Sequence, residues 1–262
     1  MPTPLPAEFF WDSNFELGPD SASIAQRVWP NYLASPSDIP EPSLTLEIPI
    51  DEFMARYPAW GVRRKQDSQL VAYSNAVFVQ CDLDSGELPE EGWQFAIQAG
   101  ARQTKANCLC LVIANVDPSV QNQKLSYHLI EVAKAAALSA GLDTLIAPVR
   151  PSLKHAHPDM SIEEYVQLRQ ANGEHFDPWL RVHERSGGHI LNICYRSTVV
   201  TATLKKWREW TGLAIAQSGR YSLQGGIAPL LADVDNNLGT YTEPNVWVRY
   251  RLTFEDPKGP NQ

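Results

Sequence analysis

NCLCLVIANVDPSVQNQKLSYHLIEVAKAAALSAGLDTLIAPV, residues 107–149, holds two apolar runs on either side of one helical repeat. The first run, NCLCLVIANVD at 107–117, has the near-continuous apolar character of a strand buried on both faces. A polar loop from Asp117 to Lys124 interrupts it. From Leu125 the period changes, and Leu125, Leu129, Val132, Ala133, Ala136 and Ala140 share one helical face. Gly141 is placed to end that helix in the left-handed conformation. The second run, Thr144 to Val149, stops before Pro151. Strand, loop, helix, glycine, strand over about forty residues is a βαβ unit, and it predicts an α/β fold.

Working outward, GVRRKQDSQLVAYSNAVFVQCDL reads as a hairpin turning at QDS, and Trp93, Ala96, Ile97 and Ala101 mark a helix before the first run. SASIAQRVWPNYLA predicts a helix interrupted near Pro30, and IDEFMARYPAW a short one ended by Pro58. Downstream, FDPWLRVHERSGG predicts a helix with Pro178 in its first turn and Gly187 at its end. HILNICYRSTVVTA then reads as a strand, LKKWREWTG as a short helix and YTEPNVWVRYRLTF as a final strand. The stretch 35–44 and the tail 255–262 read as loop.

Length fits one domain over residues 1–262. A net charge of −8, from 22 basic and 30 acidic residues, gives no positive field to collect nucleic acid or anionic lipid. Four cysteines without a CxxC pair read as buried thiols. No leader and no apolar run of membrane-spanning length is evident, so the expectation is a cytoplasmic protein.

A loop from a strand into a helix presents unpaired amides and the positive end of the helix dipole, which suits phosphates. Glycines let a backbone approach phosphate closely, and none lies between Asp117 and Gly141. On residues alone, this is an anion site or a plain capped helix. The element order from Asn107 to Tyr195 resembles the GNAT superfamily of acyl-coenzyme A N-acyltransferases. That family's pyrophosphate loop runs Arg/Gln-x-x-Gly-x-Gly/Ala; here Gln121 matches the first position, Lys124 stands at the glycine and Ser126 at the small residue. The resemblance implies a central mixed, mostly antiparallel sheet flanked by helices, with an insertion, Pro151 to Phe176, after the fifth strand. It implies acyl-coenzyme A as co-substrate, with the backbone of Gln121, Gln123, Lys124, Leu125 and Ser126 at its pyrophosphate and amides of Ala114 to Val116 at the thioester carbonyl. In HERSGG, His183 lies where the family has a tyrosine near the sulfur. FDPWLRVHERSGGHI with EPNVWVRY is also similar to a bacterial branch of GNAT-like transferases.

His183 is the expected acid or base facing the cleft, since imidazole titrates near neutral pH. Tyr165 and Tyr195 are further proton donors, and Asp177 and Glu184 flank the histidine along its helix. Glu174, Glu184 and Glu243 are candidates to attract an amine, and Trp179, Trp207, Trp210 and Trp247 to line an acceptor channel. His155 and His157 lack a third ligand at metal spacing, so no metal is expected. The implied activity is acyl transfer to a primary amine of a small molecule or peptide. A carrier-protein thioester as donor and a non-catalytic binding module are the alternatives. Neither nucleic acid nor membrane is an expected partner.

Overall fold

The computed structural model describes residues 4–34, 50–102 and 105–253. At its centre β4 (Cys108–Val116), α5 (Leu125–Ser139) and β5 (Thr144–Val149) form the expected βαβ unit, with the two strands parallel. Every other strand pairing is antiparallel. Before it come β1 (Phe9–Asp12), α1 (Pro19–Val28), α2 (Asn31–Ala34), α3 (Ile50–Met54), the hairpin β2 (Ala59–Arg64) and β3 (Leu70–Val79), and α4 (Gly92–Ala101). After it come α6 (Ile162–Val166), α7 (Pro178–Arg185), β6 (His189–Thr203), α8 (Leu204–Thr211), β7 (Gly219–Tyr221), β8 (Leu230–Asp233) and β9 (Leu238–Arg251). The sheet runs β1-β2-β3-β4-β5-β9-β8-β7, and β6 also pairs with β9.

Strand alternation divides the core between the two faces of this sheet. Leu109 and Leu111 of β4 meet Ile130, Ala133 and Ala137 of α5, together with Ile162 and Leu180 from α6 and α7. Cys108 and Cys110 point the other way, onto Phe53 and Met54 of α3 and Ala96 and Ile97 of α4. The C-terminal end has its own core, where Tyr32, Trp207, Leu230 and Tyr241 pack together. Trp207 and Trp247 are therefore core residues, not channel linings.

Several expectations change. Along α5, Ile130 and Ala137 are buried whereas Ala140 is exposed, because the helix leans on both β4 and β5 rather than on a single line. Strands β1, β7 and β8 are three or four residues long, too short for a period to show in sequence. The insertion carries a 3-10 turn at Lys154–Ala156 and α6, whose start is fixed by a reciprocal cap between Ser161 and Glu164. Cys81 is half-buried and the other three thiols are buried, all unbridged. Among the described residues no helix is long and apolar enough to cross a membrane. The stretch 35–44 and the tail 255–262 both fall outside the described residues.

Candidate active site

Strands β4 and β5 pair only at Leu109 with Leu145 and at Cys110 with Ile146. Beyond that point β4 stays with β3 as far as Val116, and β5 stays with β9 as far as Val149. The sheet thus divides into two halves that part like a V. Two residues mark the division. The β3–β4 register skips Val112, which places a bulge there and turns the strand. Pro148 of β5 has no N–H to offer a partner. Burial follows the geometry: Cys108 to Leu111 are buried, and Val112 to Ala114 are half-buried where β5 leaves.

The amides of the parted segment can be assigned. Asp117 N–H donates to Val71 O of β3 at 2.8 Å. Successive residues of a strand present N–H to opposite sides. Val116 and Ala114 therefore turn their N–H groups away from β3, into the gap.

At its open end β4 runs into a 3-10 turn, Pro118–Val120, capped by Asp117, whose carboxylate accepts from Ser119 N–H and from Arg27 Nε at 2.9 Å. The loop then reaches α5 through two left-handed residues, Asn122 with φ of 70° and Lys124 with φ of 58°. Lys124 is thus in the conformation that glycine adopts without strain, and the loop keeps a glycine-like path without a glycine. Among the described residues no side chain caps α5. The amides of Lys124, Leu125 and Ser126 have no partner among the described residues, whereas Tyr127 N–H returns to Lys124 O. The Gln121, Gln123 and Lys124 side chains are exposed, Ser126 is half-buried, and Leu125 is buried, so Leu125 offers only its backbone.

On the face that carries α1, side chains bridge the mouth of the V. Trp29, just after α1, donates from Nε1 to Asn115 Oδ1 of β4 at 2.9 Å, and Asn115 Nδ2 donates to Tyr73 Oη at 2.8 Å. Across the gap the Arg150 guanidinium, just after β5, lies 5.3 Å from the centre of the Trp29 ring. Its Nε donates to Glu243 Oε1 at 3.0 Å and its Nη2 to Gly225 O at 2.7 Å. Tyr241 donates to Glu243 Oε2 at 2.6 Å. Burial pushes the Arg150 pKa down, but the charge and hydrogen bond of Glu243 together with Tyr241 and Tyr32 more than offset it, so the guanidinium stays charged. Burial raises the Tyr73 phenol to about 12, even though its bond from Asn115 works the other way, so it is a donor at neutral pH and not a base.

The same overall fold occurs in known proteins. A loading GNATL domain of CurA from Lyngbya majuscula superposes with a TM-score of 0.54 at 14% identity, over 88% of this chain and 91% of that one. A GphF GNAT-like decarboxylase solved with isobutyryl-CoA gives 0.54 at 19%, over 89% and 94%. At this identity both show the fold. No family model matches the chain. In sequence, an arginine N-acetyltransferase, avaD, from Aspergillus versicolor is 30% identical over 249 residues, covering 84% of each protein. The chain belongs to the GNAT superfamily. It is an acyltransferase of the GNAT type, and its chemistry is acyl transfer to an amine.

Within this GNAT fold the titratable residues singled out by sequence lie elsewhere than expected. His183 is 1% exposed. Its Nδ1 lies 2.6 Å from Tyr250 Oη and its ring 4.3 Å from that of Trp179. Tyr250 pairs with Leu145, the β5 residue still joined to β4. The imidazole is therefore inside the core at the closed end of the V and does not face the cleft; α7 needs an apolar inward face, and His183 is on it. Burial, with Lys134 adding to it, drives its pKa down to about 3. Tyr165 is also fully buried and donates to Asp177 Oδ2 at 2.8 Å. Asp177 additionally accepts from Ser152 Oγ and from the amides of Leu153, Trp179 and Leu180, which makes it the cap of α7 and the clasp of the insertion. Tyr195 is 43% exposed on β6, and the neighbouring Glu163 raises its pKa.

Of the acidic candidates, Glu184 pairs with Arg169 and Glu174 with Arg185, both on the surface. Glu243 alone among these three is at the mouth. His155 bonds to Ser152 O while His157 packs on Tyr165 and Phe176, and among the described residues no three metal-ligating side chains converge. Trp29, Tyr73, Asn115, Arg150 and Tyr241 were not singled out from sequence. One signal was present: Asn115 is the one polar residue in the apolar run of β4.

Proposed function

We propose that this protein moves an acyl group from a coenzyme A thioester to the primary amine of a small acceptor, amino acids such as arginine among them. The observation that supports it best is the parted edge of β4, with Ala114 and Val116 amides turned into the gap, leading directly to the uncapped start of α5. A thioester laid along that edge has N–H donors for the charge that develops on its carbonyl oxygen. Its pyrophosphate meets the free amides of Lys124, Leu125 and Ser126 and the dipole of a 15-residue helix. The exposed Lys124 ammonium adds a point charge where a glycine would add none. The amine acceptor enters from the face of Trp29, Asn115 and Arg150. The relative named for arginine places amino acids first in the acceptor panel.

The test combines calorimetric titration of coenzyme A and acetyl-coenzyme A with an assay of thiol release in the presence of an amine panel. We expect micromolar binding and amine-dependent release, and Lys124→Gln weakening the donor by roughly threefold to fivefold, as for one exposed ion pair. Absence of both binding and release at millimolar donor would remove the coenzyme A reading. Turnover confined to carrier-bound acyl groups would assign the donor to a carrier protein instead.

A further inference from the structure

We propose that Arg150 anchors a carboxylate of the acceptor, and that the acceptors of this enzyme are therefore α-amino acids, with the amine N–H presented to Asn245 Oδ1. This rests on the acyl-transfer reading of the parted sheet. Arg150 stands at the point where β5 has left β4, and Trp29 ties it across the gap to Asn115 in the segment whose amides line the V. The guanidinium is held at Nε by Glu243 and at Nη2 by Gly225 O, and its side chain is 13% exposed. Its Nη1 donates to no described residue. Both N–H donors of Nη1 and the second of Nη2 thus remain on a cation that is already fixed in place and shielded by an aromatic face, which is the preorganised form in which arginine recognises carboxylates.

The surroundings favour an ordered ligand over a bare structural ion pair. On the β9 edge that β5 and β8 share, β5 covers Val246 to Arg251 and β8 covers Leu238 to Tyr241, so among the described residues no strand covers Thr242 to Asn245 on that edge. Arg150 and Glu243 meet in that gap. Continuing the register beyond Val149 and Val246 sets Asn245 opposite Arg150. Asn245 is 5% exposed, and its Nδ2 donates to Ser197 Oγ at 2.9 Å and to Pro148 O at 3.4 Å, which fixes the amide orientation. Its Oδ1 is buried with no partner among the described residues. A buried acceptor left bare costs roughly 1–3 kcal/mol, which a ligand N–H would recover. Free donors on Arg150 opposite a bare acceptor on Asn245 match a carboxylate and an amine on one carbon. Glu243 is occupied on both oxygens, by Arg150 and Tyr241, so it balances the arginine and leaves the amine to Asn245.

The experiment pairs amines that differ only in the carboxylate: L-arginine with agmatine, and L-lysine with cadaverine. Binding is read by calorimetry in the presence of coenzyme A, and kcat/KM by thiol release. The wild type is expected to favour the carboxylate member of each pair by roughly 30-fold, the worth of one charged hydrogen-bonded contact. In Arg150→Gln that ratio falls toward one. Because Arg150→Gln strands the buried Glu243 charge, the double variant Arg150→Gln/Glu243→Gln, which removes both charges, is measured beside it, with thermal unfolding as the check on folding. Equal use of agmatine and arginine by the wild type, or preference kept in both variants, would overturn the anchor while acyl transfer stands. Arg150-dependent binding of amino acids without any thiol release would do the reverse, keeping the anchor and removing the acyl-transfer reading.

Discussion

Burial of the His183 ring couples the stability of this fold to pH well above the carboxylate range. Its folded pKa, about 3, lies below the ordinary value of 6.5. The unfolded chain therefore takes up a proton near pH 6.5 that the folded chain refuses. The stability this group contributes is fully present above about pH 6.5 and is lost as pH falls toward 3, by about 1.4 kcal/mol per pH unit. His175, lowered chiefly by burial, acts with the same sign. Asp12 and Asp117 are also lowered, but their contributions are lost only as pH falls below about 4. Unfolding free energies from urea titrations at pH 7 and pH 5 should differ by about 2 kcal/mol or more in the wild type and by clearly less in His183→Gln. An unchanged pH slope in the variant would mean the ring is solvated. Turnover of the folded variant should stay within roughly threefold of wild type; a loss of 10²-fold or more at unchanged stability would return His183 to the chemistry. Residue type and position on α7 identified a histidine where the family has a tyrosine, but they gave no sign of which side of the helix meets Tyr250.

At the level of elements, α7 and the insertion before it are held by one carboxylate. Asp177 accepts five hydrogen bonds, from Ser152, Leu153, Tyr165, Trp179 and Leu180, and is fully buried. Asp177→Ala removes the cap of α7 and leaves the Tyr165 hydroxyl and the Leu153 amide without an acceptor. The cost should be roughly 3–5 kcal/mol, read as a lower thermal midpoint, with Tyr165→Phe costing about 1–2 kcal/mol. A drop below about 1 kcal/mol for Asp177→Ala would show that α6 and α7 hold together by packing alone. Long elements with a clear period, such as α5 and β4, were legible in sequence because a dozen residues repeat one constraint. The caps of α6 and α7 were written in the Ser161–Glu164 spacing and in Asp177-Pro178, yet of these only Pro178 was legible as a first-turn residue, and Asp177 read as part of the helix rather than as its cap. The turn at Lys124 was not legible as a left-handed residue, since the glycine that normally reports that conformation is replaced.

The candidate site as a whole is built from Trp29, Asn115, Arg150 and Glu243, residues from four distant parts of the chain. No local pattern brings them together; the order of the strands does, and that order follows from the βαβ unit and the family resemblance. β9 is the strand through which this assembly is linked. One edge of it pairs with β5 at Val246 to Arg251 and with β8 at Leu238 to Tyr241, while the other carries β6 from His189 to Thr203. The parted halves of the sheet consequently share a strand with the C-terminal core around Trp207 and Tyr241. Neither half can lose its order without exposing an edge of β9 and the apolar faces on it. We therefore expect a single cooperative unfolding transition over residues 1–262, with tryptophan fluorescence and far-ultraviolet circular dichroism coincident in urea. Saturating coenzyme A, at about 100 times its dissociation constant, should shift that single transition by roughly 2.7 kcal/mol. Two separated transitions, with only the earlier or the later moved by coenzyme A, would show that the donor half and the C-terminal half fold independently and that the Arg150–Glu243 bridge joins two domains.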